Sequence, residues 1–138
     1  MKDDAPLIGT IAKACGVSVD TVRHYERKGV IPPAVRDESG YRRYPAGTGD
    51  RVRIVRRALE IGFSLDELAR IFRERKAGHP PCRNVKDLAA RKLMELDARI
   101  ASLLALRAAL AETVGAWESQ LENTGEGQMA LLLDSLIS

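Results

Sequence analysis

The sequence predicts a mainly α chain. A head of short helices carries a two-stranded wing, and one long helix and a short C-terminal helix follow. Three observations predict it. Apolar residues recur at helical spacing in four short stretches before residue 76. Arg- and Tyr-bearing runs flank Asp37-Glu38-Ser39-Gly40 in the manner of a hairpin. From Asn84 to about Leu121 there is no proline and one glycine, Gly115, while apolar residues alternate by three and four.

The first helix is expected over residues 7–16, where Ile8, Ile11, Ala12 and Cys15 share one face and Gly16 is a natural stop. Ser18 is a good N-cap for a second helix running to about Lys28, with Val19, Val22 and the ring of Tyr25 inward. Gly29 ends that helix, and Pro32-Pro33 prevents a restart. Two short helices joined by a tight Gly-containing turn form a helix-turn-helix pattern. Thr21, Arg23, His24, Arg27 and Lys28 lie on the second helix, where they can reach phosphates or base edges.

Residues 34–36 and 41–44 form the wing, which exposes Arg36, Tyr41, Arg42 and Arg43 on one small surface. Guanidinium groups pair with phosphate oxygens, and a Tyr hydroxyl adds a directional hydrogen bond. A third helix from about Thr48 to Ile61 carries Val52, Val55 and Leu59, with Ile54, Ala58 and Ile61 beside them. Ser64-Leu65-Asp66-Glu67 matches a capping box and opens a fourth helix to about Arg75, with Leu65, Leu68, Ile71 and Phe72 inward. These stripes read as core packing. The head is therefore residues 1–76, and residues 77–83 form a Pro-bearing linker with Cys82.

Residues 84–121 form the long helix, about 57 Å at 1.5 Å per residue. Its seam runs Leu93, Leu96, Ile100, Leu103, Arg107, Leu110, Val114, Trp117, separated by 3, 4, 3, 4, 3, 4 and 3 residues. Nothing else in the chain can cover so long a stripe, so a second copy is the expected partner. Residues 122–138 hold a loop and an apolar segment, Met129 to Ile137, expected to fold back as a small helix.

Charge divides the chain. Residues 1–76 hold 16 Lys and Arg, 12 of them Arg, against 11 Asp and Glu, whereas residues 77–138 hold 6 against 8. A basic head suits a polyanion, and arginine suits bidentate phosphate contact. Met1-Lys2-Asp3-Asp4 lacks the apolar stretch of a signal peptide, and no apolar window of about 20 residues is free of charge, so neither secretion nor a membrane partner is expected. Two cysteines, Cys15 and Cys82, are too few for a disulfide scaffold, which points to a reducing cytoplasm. No carboxylate pair, Ser/His/Asp set or Cys/His pair lies beside a plausible pocket, so an enzyme is not expected.

The motifs Thr21-Val22-Arg23-His24-Tyr25-Glu26-Arg27-Lys28-Gly29-Val30-Ile31-Pro32, Gly40-Tyr41-Arg42-Arg43-Tyr44 and Gly62-Phe63-Ser64-Leu65-Asp66-Glu67-Leu68 stand in this order. Together they resemble the MerR family of bacterial transcription regulators, in its short, metal-sensor-like branch, over about residues 7–121. The resemblance implies a winged helix-turn-helix DNA-binding head on an antiparallel coiled-coil dimerisation helix. It implies a cytoplasmic homodimer on double-stranded promoter DNA, each head on one half of a pseudo-palindromic site in an over-long spacer. An effector would change the heads' relative angle, bend and undertwist the spacer, and let RNA polymerase recognise the realigned elements. Residue by residue it carries DNA contact to Ser18, Thr21, Arg23, His24 and Tyr25 in the recognition helix, and to Arg36, Tyr41 and Arg42 in the wing.

Cys82 stands where metal-sensing members keep their first ligand, and His79 lies three residues before it. A helix N-terminus favours the thiolate that binds soft metals. Those members supply further cysteines near the end of the long helix and beyond it. Here Val114 to Met129 contains none, and Trp117, Glu118, Glu122 and Glu126 stand there instead. Three readings of Cys82 stay open: a metal ligand with His79 or a residue of the other subunit, a lone thiol that senses oxidants or electrophiles, and a structural cysteine. No cofactor is otherwise implied. The chain lacks the large C-terminal domain of drug-binding relatives, which argues against a bulky organic effector. A coiled-coil adaptor whose basic head meets an acidic protein is the other alternative.

Overall fold

Helix α1 spans Ile8–Cys15 and buries Ile11, Ala12 and Cys15, the face its spacing marks. It ends at Gly16, whose φ of 67° is the left-handed conformation that favours glycine, and whose N–H donates to the Ala12 and Lys13 carbonyls. Helix α2 spans Val19–Lys28, and the Ser18 hydroxyl accepts from the Thr21 N–H at 3.0 Å. Val22 and Tyr25 are its buried residues. The molecule is described by a computed structural model covering residues 5–138. Residues 1–4, on which the signal-peptide expectation and the start of the head fall, lie outside the described residues.

Strands β1 (Val35–Arg36) and β2 (Arg42–Arg43) pair antiparallel, with Val35 opposite Arg43 and Arg36 opposite Arg42. The connecting turn is held by Asp37, whose Oδ1 accepts from the Ser39 and Tyr41 N–H groups at 2.9 and 3.0 Å. Its Oδ2 accepts from Arg43 Nε at 2.7 Å, and Arg43 Nη1 reaches the Ala5 carbonyl at 3.1 Å. The wing is thus tied to the segment before α1 as well as to itself.

Helix α3 spans Thr48–Glu60 and α4 spans Leu65–Lys76. The capping box is formed in both directions, with Ser64 Oγ accepting from the Glu67 N–H and Glu67 Oε1 from the Ser64 N–H. The head core joins Ile11, Val22, Tyr25, Val30, Ile31, Tyr44, Val52, Val55, Phe63 and Leu68 from all four helices and the wing. Ile54 and Ile61, beside the α3 stripe, face solvent.

Helix α5 spans Cys82–Glu122. It starts two residues before Asn84 because Pro81 supplies the first carbonyl, which accepts from the Val85 N–H at 2.8 Å. The chain divides into two units, Met1–Ala90 and Arg91–Ser138. The first two turns of α5 belong to the head because Val85 and Leu88 pack against its core. From Leu93 to Val114 the seam side chains are exposed, each aliphatic one by 43–60%. In length and composition α5 is apolar enough to cross a membrane, with a mean hydropathy of 1.3 in its most apolar stretch. Arg107 and Glu112 interrupt its apolar middle, and a charge at a bilayer centre costs about 2.5–3.5 kcal/mol on insertion scales. Beyond α5 the expected small helix over Met129 to Ile137 reduces to one 3₁₀ turn at Asp134–Ile137. Gly125 and Gly127 loosen the approach to it. The Trp117 indole N–H donates to Ser135 Oγ at 3.1 Å and fastens that turn to the end of the helix.

Candidate nucleic-acid interface

The exposed side of α2 is set by its cap. Ser18 Oγ lies 2.9 Å from Thr21 Oγ1, so the two hydroxyls present one small polar surface at the helix N-terminus, where the macrodipole favours an anion. One and two turns further on, Arg23 and Arg27 reach into solvent. Arg23 leans on Asp20 at 3.7 Å, an exposed pair worth little and readily exchanged for a phosphate. His24 is half-buried beside them.

Glu26 joins this helix to the wing. Its Oε1 accepts from the Ala34 N–H at 2.9 Å and from Arg42 Nη2 at 2.6 Å. Its Oε2 accepts from the Tyr44 hydroxyl at 2.7 Å. Burial alone would push the Glu26 carboxyl up, but the Ala34 N–H, the Tyr44 hydroxyl and the Arg42 guanidinium outweigh it and hold the group below its ordinary value. Burial first, and then the bond to Glu26, push the Tyr44 hydroxyl up to about 12. The Arg43 hydrogen bond leads the interactions that hold Asp37 below the ordinary carboxylate range. A carboxylate among arginines would repel DNA if it faced out. Glu26 is instead engaged by the Ala34 N–H, the Tyr44 hydroxyl and Arg42, which it orients.

The result is a cleft of about 370 Å³ lined by Arg23, Glu26, Arg27 and Arg42. It brings together Arg23 and Arg42, two of the contacts the resemblance implies, and Arg27, which the helix-turn-helix pattern also turns toward phosphates. On the wing, Tyr41 is 63% exposed, and Arg36 donates to the Gly40 carbonyl at 2.8 Å across the turn. Tyr25 is placed differently from the other predicted contacts. Only 6% of it is exposed and its ring belongs to the head core, so a phosphate could meet no more than its hydroxyl. Lys28 turns away to Asp66 at 3.4 Å.

The metal candidates are not gathered into a centre. Cys82 is exposed at the first position of α5 and His79 is exposed before it. Among the described residues no three His, Cys, Asp or Glu side chains are grouped so as to hold a metal ion. Cys15 is buried, and its thiol donates to the Gly49 carbonyl at 3.4 Å.

Residues 7–44 match the family profile described as MerR family regulatory protein, and residues 50–113 match the one described as MerR, DNA binding. The mercuric resistance operon regulatory protein of Serratia marcescens is 37% identical over 116 residues, which are 84% of this chain and 79% of that protein. The chain belongs to the MerR family. The Escherichia coli transcriptional regulator ZntR is 34% identical to this MerR family regulator over 104 residues, 75% of this chain and 74% of that protein. Among solved structures, the lead(II)-bound transcription regulator of Ralstonia metallidurans has a TM-score of 0.73 at 24% identity, covering 95% of this chain and 98% of that one. A MerR family regulator bound to promoter DNA has a TM-score of 0.53 at 21% identity, covering 86% and 94%. These two likenesses are of fold.

The cleft of this MerR family head makes a quantitative expectation. Replacing Arg23 or Arg27 with alanine should weaken duplex binding. Each variant should also lower the slope of log affinity against log salt by about one for every phosphate it no longer neutralises. Titrations at several salt concentrations measure it. An unchanged slope in both variants would remove the cleft from the interface.

Proposed function

We propose that this MerR family regulator grips promoter DNA as an antiparallel homodimer and switches transcription when an effector alters the rod between its heads. The observation that carries the reading is the uncovered seam of α5, whose aliphatic residues from Leu93 to Val114 lie exposed along the helix. A second copy can bury such a seam along its whole length. The alternating spacing reads the same from either end, so either orientation aligns it, and charge decides between them. Residues 82–107 hold six Lys and Arg against three Asp and Glu, whereas residues 108–138 hold five Asp and Glu and no Lys or Arg. Parallel pairing sets like against like at both ends. Antiparallel pairing sets the basic end of each helix beside the acidic end of the other.

Two heads at fixed separation hold duplex at two points. A change in their relative angle deforms the DNA between them, at an elastic cost of about 1–6 kcal/mol that phosphate contacts must offset. Nothing in this mechanism requires chemistry on a substrate. RNA polymerase then reads the realigned promoter elements, which places the protein in the cytoplasm. Ser18, Thr21, Arg23, His24, the hydroxyl of Tyr25, Arg36, Tyr41 and Arg42, together with Arg27, carry the contact.

Relatives named for mercury and zinc support a metal ion as the effector class. One chain offers the exposed Cys82 thiol, with the exposed His79 three residues before it, and no group of three donors among the described residues, so a metal ion at Cys82 would draw further ligands from the other subunit. The same observation favours a second reading, in which Cys82 acts alone as a thiol that responds to oxidants or electrophiles. Transcription from the bound promoter with RNA polymerase, against a panel of metal ions and thiol oxidants, separates the two. Cys82→Ser should lose the response while promoter affinity is unchanged. A full response in that variant would take Cys82 out of the sensing mechanism.

A further inference from the structure

The antiparallel homodimer proposed above fixes a register, and the register brings opposite charges of the two protomers together. A twofold axis midway between Leu103 and Arg107 sets Leu93 opposite Trp117, Leu96 opposite Val114 and Ile100 opposite Leu110 of the partner subunit. Every seam position then meets a seam position. Beyond the seam, the same register brings Glu118 of the partner subunit beside Lys92 and Glu122 of the partner subunit beside Lys86, and Glu126 follows in the segment just past that helix.

The head carries basic residues of its own. Arg51, Arg73, Arg75 and Lys76 line one cleft of about 630 Å³ together with Phe72 and one acid, Glu26. Glu74, the one acid in the last two turns of α4, lies 3.9 Å from Arg70 instead. Asp87 is the one acid in the first two turns of α5. Arg51 stacks over the Phe72 ring at 3.9 Å. Burial, and then repulsion from Arg75, lower its pKa.

We infer that the acidic end of each protomer, Glu118 to Glu126, clasps the basic collar of its partner, from Arg75 and Lys76 to Arg83 and Lys86. The occupant of the collar is a second copy of this chain, chosen by charge complementarity and by continuity with the seam. In relatives whose names mark them as metal-responsive the effector is a metal ion. Here the ends of the rod are joined by ion pairs, which salt and pH can loosen.

Crosslinking tests this in the full native chain. Protomers of ordinary and heavy-nitrogen isotope composition are mixed and treated with a zero-length carbodiimide, which joins lysine to a carboxylate in contact with it. Lys86 should join Glu122 across the two isotopic forms. In parallel, the Arg75→Glu, Lys76→Glu, Lys86→Glu variant and the Glu118→Lys, Glu122→Lys, Glu126→Lys variant should each raise the dimer Kd about tenfold at low salt. Mixing the two should restore it, and high salt should erase the difference. A dimer by sedimentation that yields no Lys86–Glu122 product between protomers overturns the clasp alone. So does a dimer in which collar variants weaken DNA binding without weakening association, because the collar would then serve the duplex. A chain that sediments as a monomer overturns the clasp together with the homodimer reading.

Discussion

Replacing Glu26 with alanine should destabilise the head by about 2–4 kcal/mol and weaken duplex binding at least tenfold. The variant leaves the Ala34 N–H and the Tyr44 hydroxyl without their acceptor and Arg42 without its ion pair. Each orphaned buried group costs about 1–3 kcal/mol, and the lost pair with the half-exposed Arg42 adds little to it. Binding suffers because Arg42 and the wing lose their bearing on α2. Glu26→Gln, which keeps the shape, should cost less. The acid limb of stability supplies an independent check. A carboxyl held below its ordinary value in the fold contributes stability above the unfolded value of 4.5, and loses it as pH falls through the lowered folded value. In denaturant titrations the gap between wild type and Glu26→Gln should therefore be full at pH 7 and close as pH falls from 4.5 through the lowered folded value. Tyr44 works in the opposite direction. Its raised pKa contributes stability below 10, which is lost as pH rises toward about 12. Tyr44→Phe should flatten that alkaline limb. Equal stability of wild type and Glu26→Ala at neutral pH would refute the hub.

Ile100→Asp should abolish the dimer at micromolar concentration and lower promoter affinity by at least a hundredfold. In the antiparallel register each Ile100 meets Leu110 of the partner subunit, so one substitution places two carboxylates in the seam. Removing a buried aliphatic side chain forfeits about 1.5–3 kcal/mol, and burying an unpaired polar group adds a comparable penalty. At two sites this exceeds three decades in the dimer Kd. Promoter affinity follows because a lone head binds one half-site without the effective concentration that a linked head supplies. The head should stay folded, since its core is closed by residues from Ile11 to Leu88. Sedimentation, circular dichroism and duplex binding read the three effects. A variant that stays dimeric would show that the seam is not the interface.

The helices were legible in the sequence because their signals are local. Ser18 and Thr21 are three residues apart, as are Ser64 and Glu67, and both caps form as spacing alone requires. The seam of α5 was legible for the same reason. Glu26 was not, because its partners Ala34, Arg42 and Tyr44 lie 8, 16 and 18 residues away and meet it only once the wing folds back. The one available signal was a carboxylate within a basic helix face, which must find partners or oppose the helix's task. Tyr25 carried two roles at once in the sequence, core ring and DNA contact, and the packing places the ring in the core. The C-terminal segment offered apolar residues but no cap, and it forms a single turn held by Trp117 and Ser135.

The most direct test of the two-headed rod is the distance between spin labels on the two Cys82 thiols of a dimer, with Cys15 replaced by alanine. Cys82 is exposed at the start of α5, so it accepts a label without disturbing the core. Antiparallel pairing about the seam centre puts the two Cys82 about 46 residues apart along the rod, or about 70 Å at 1.5 Å per residue. The measured distance should lie near that value. A separation below about 20 Å, as adjacent helix starts would give at an interaxial distance near 10 Å, or no dipolar coupling at all, would contradict it.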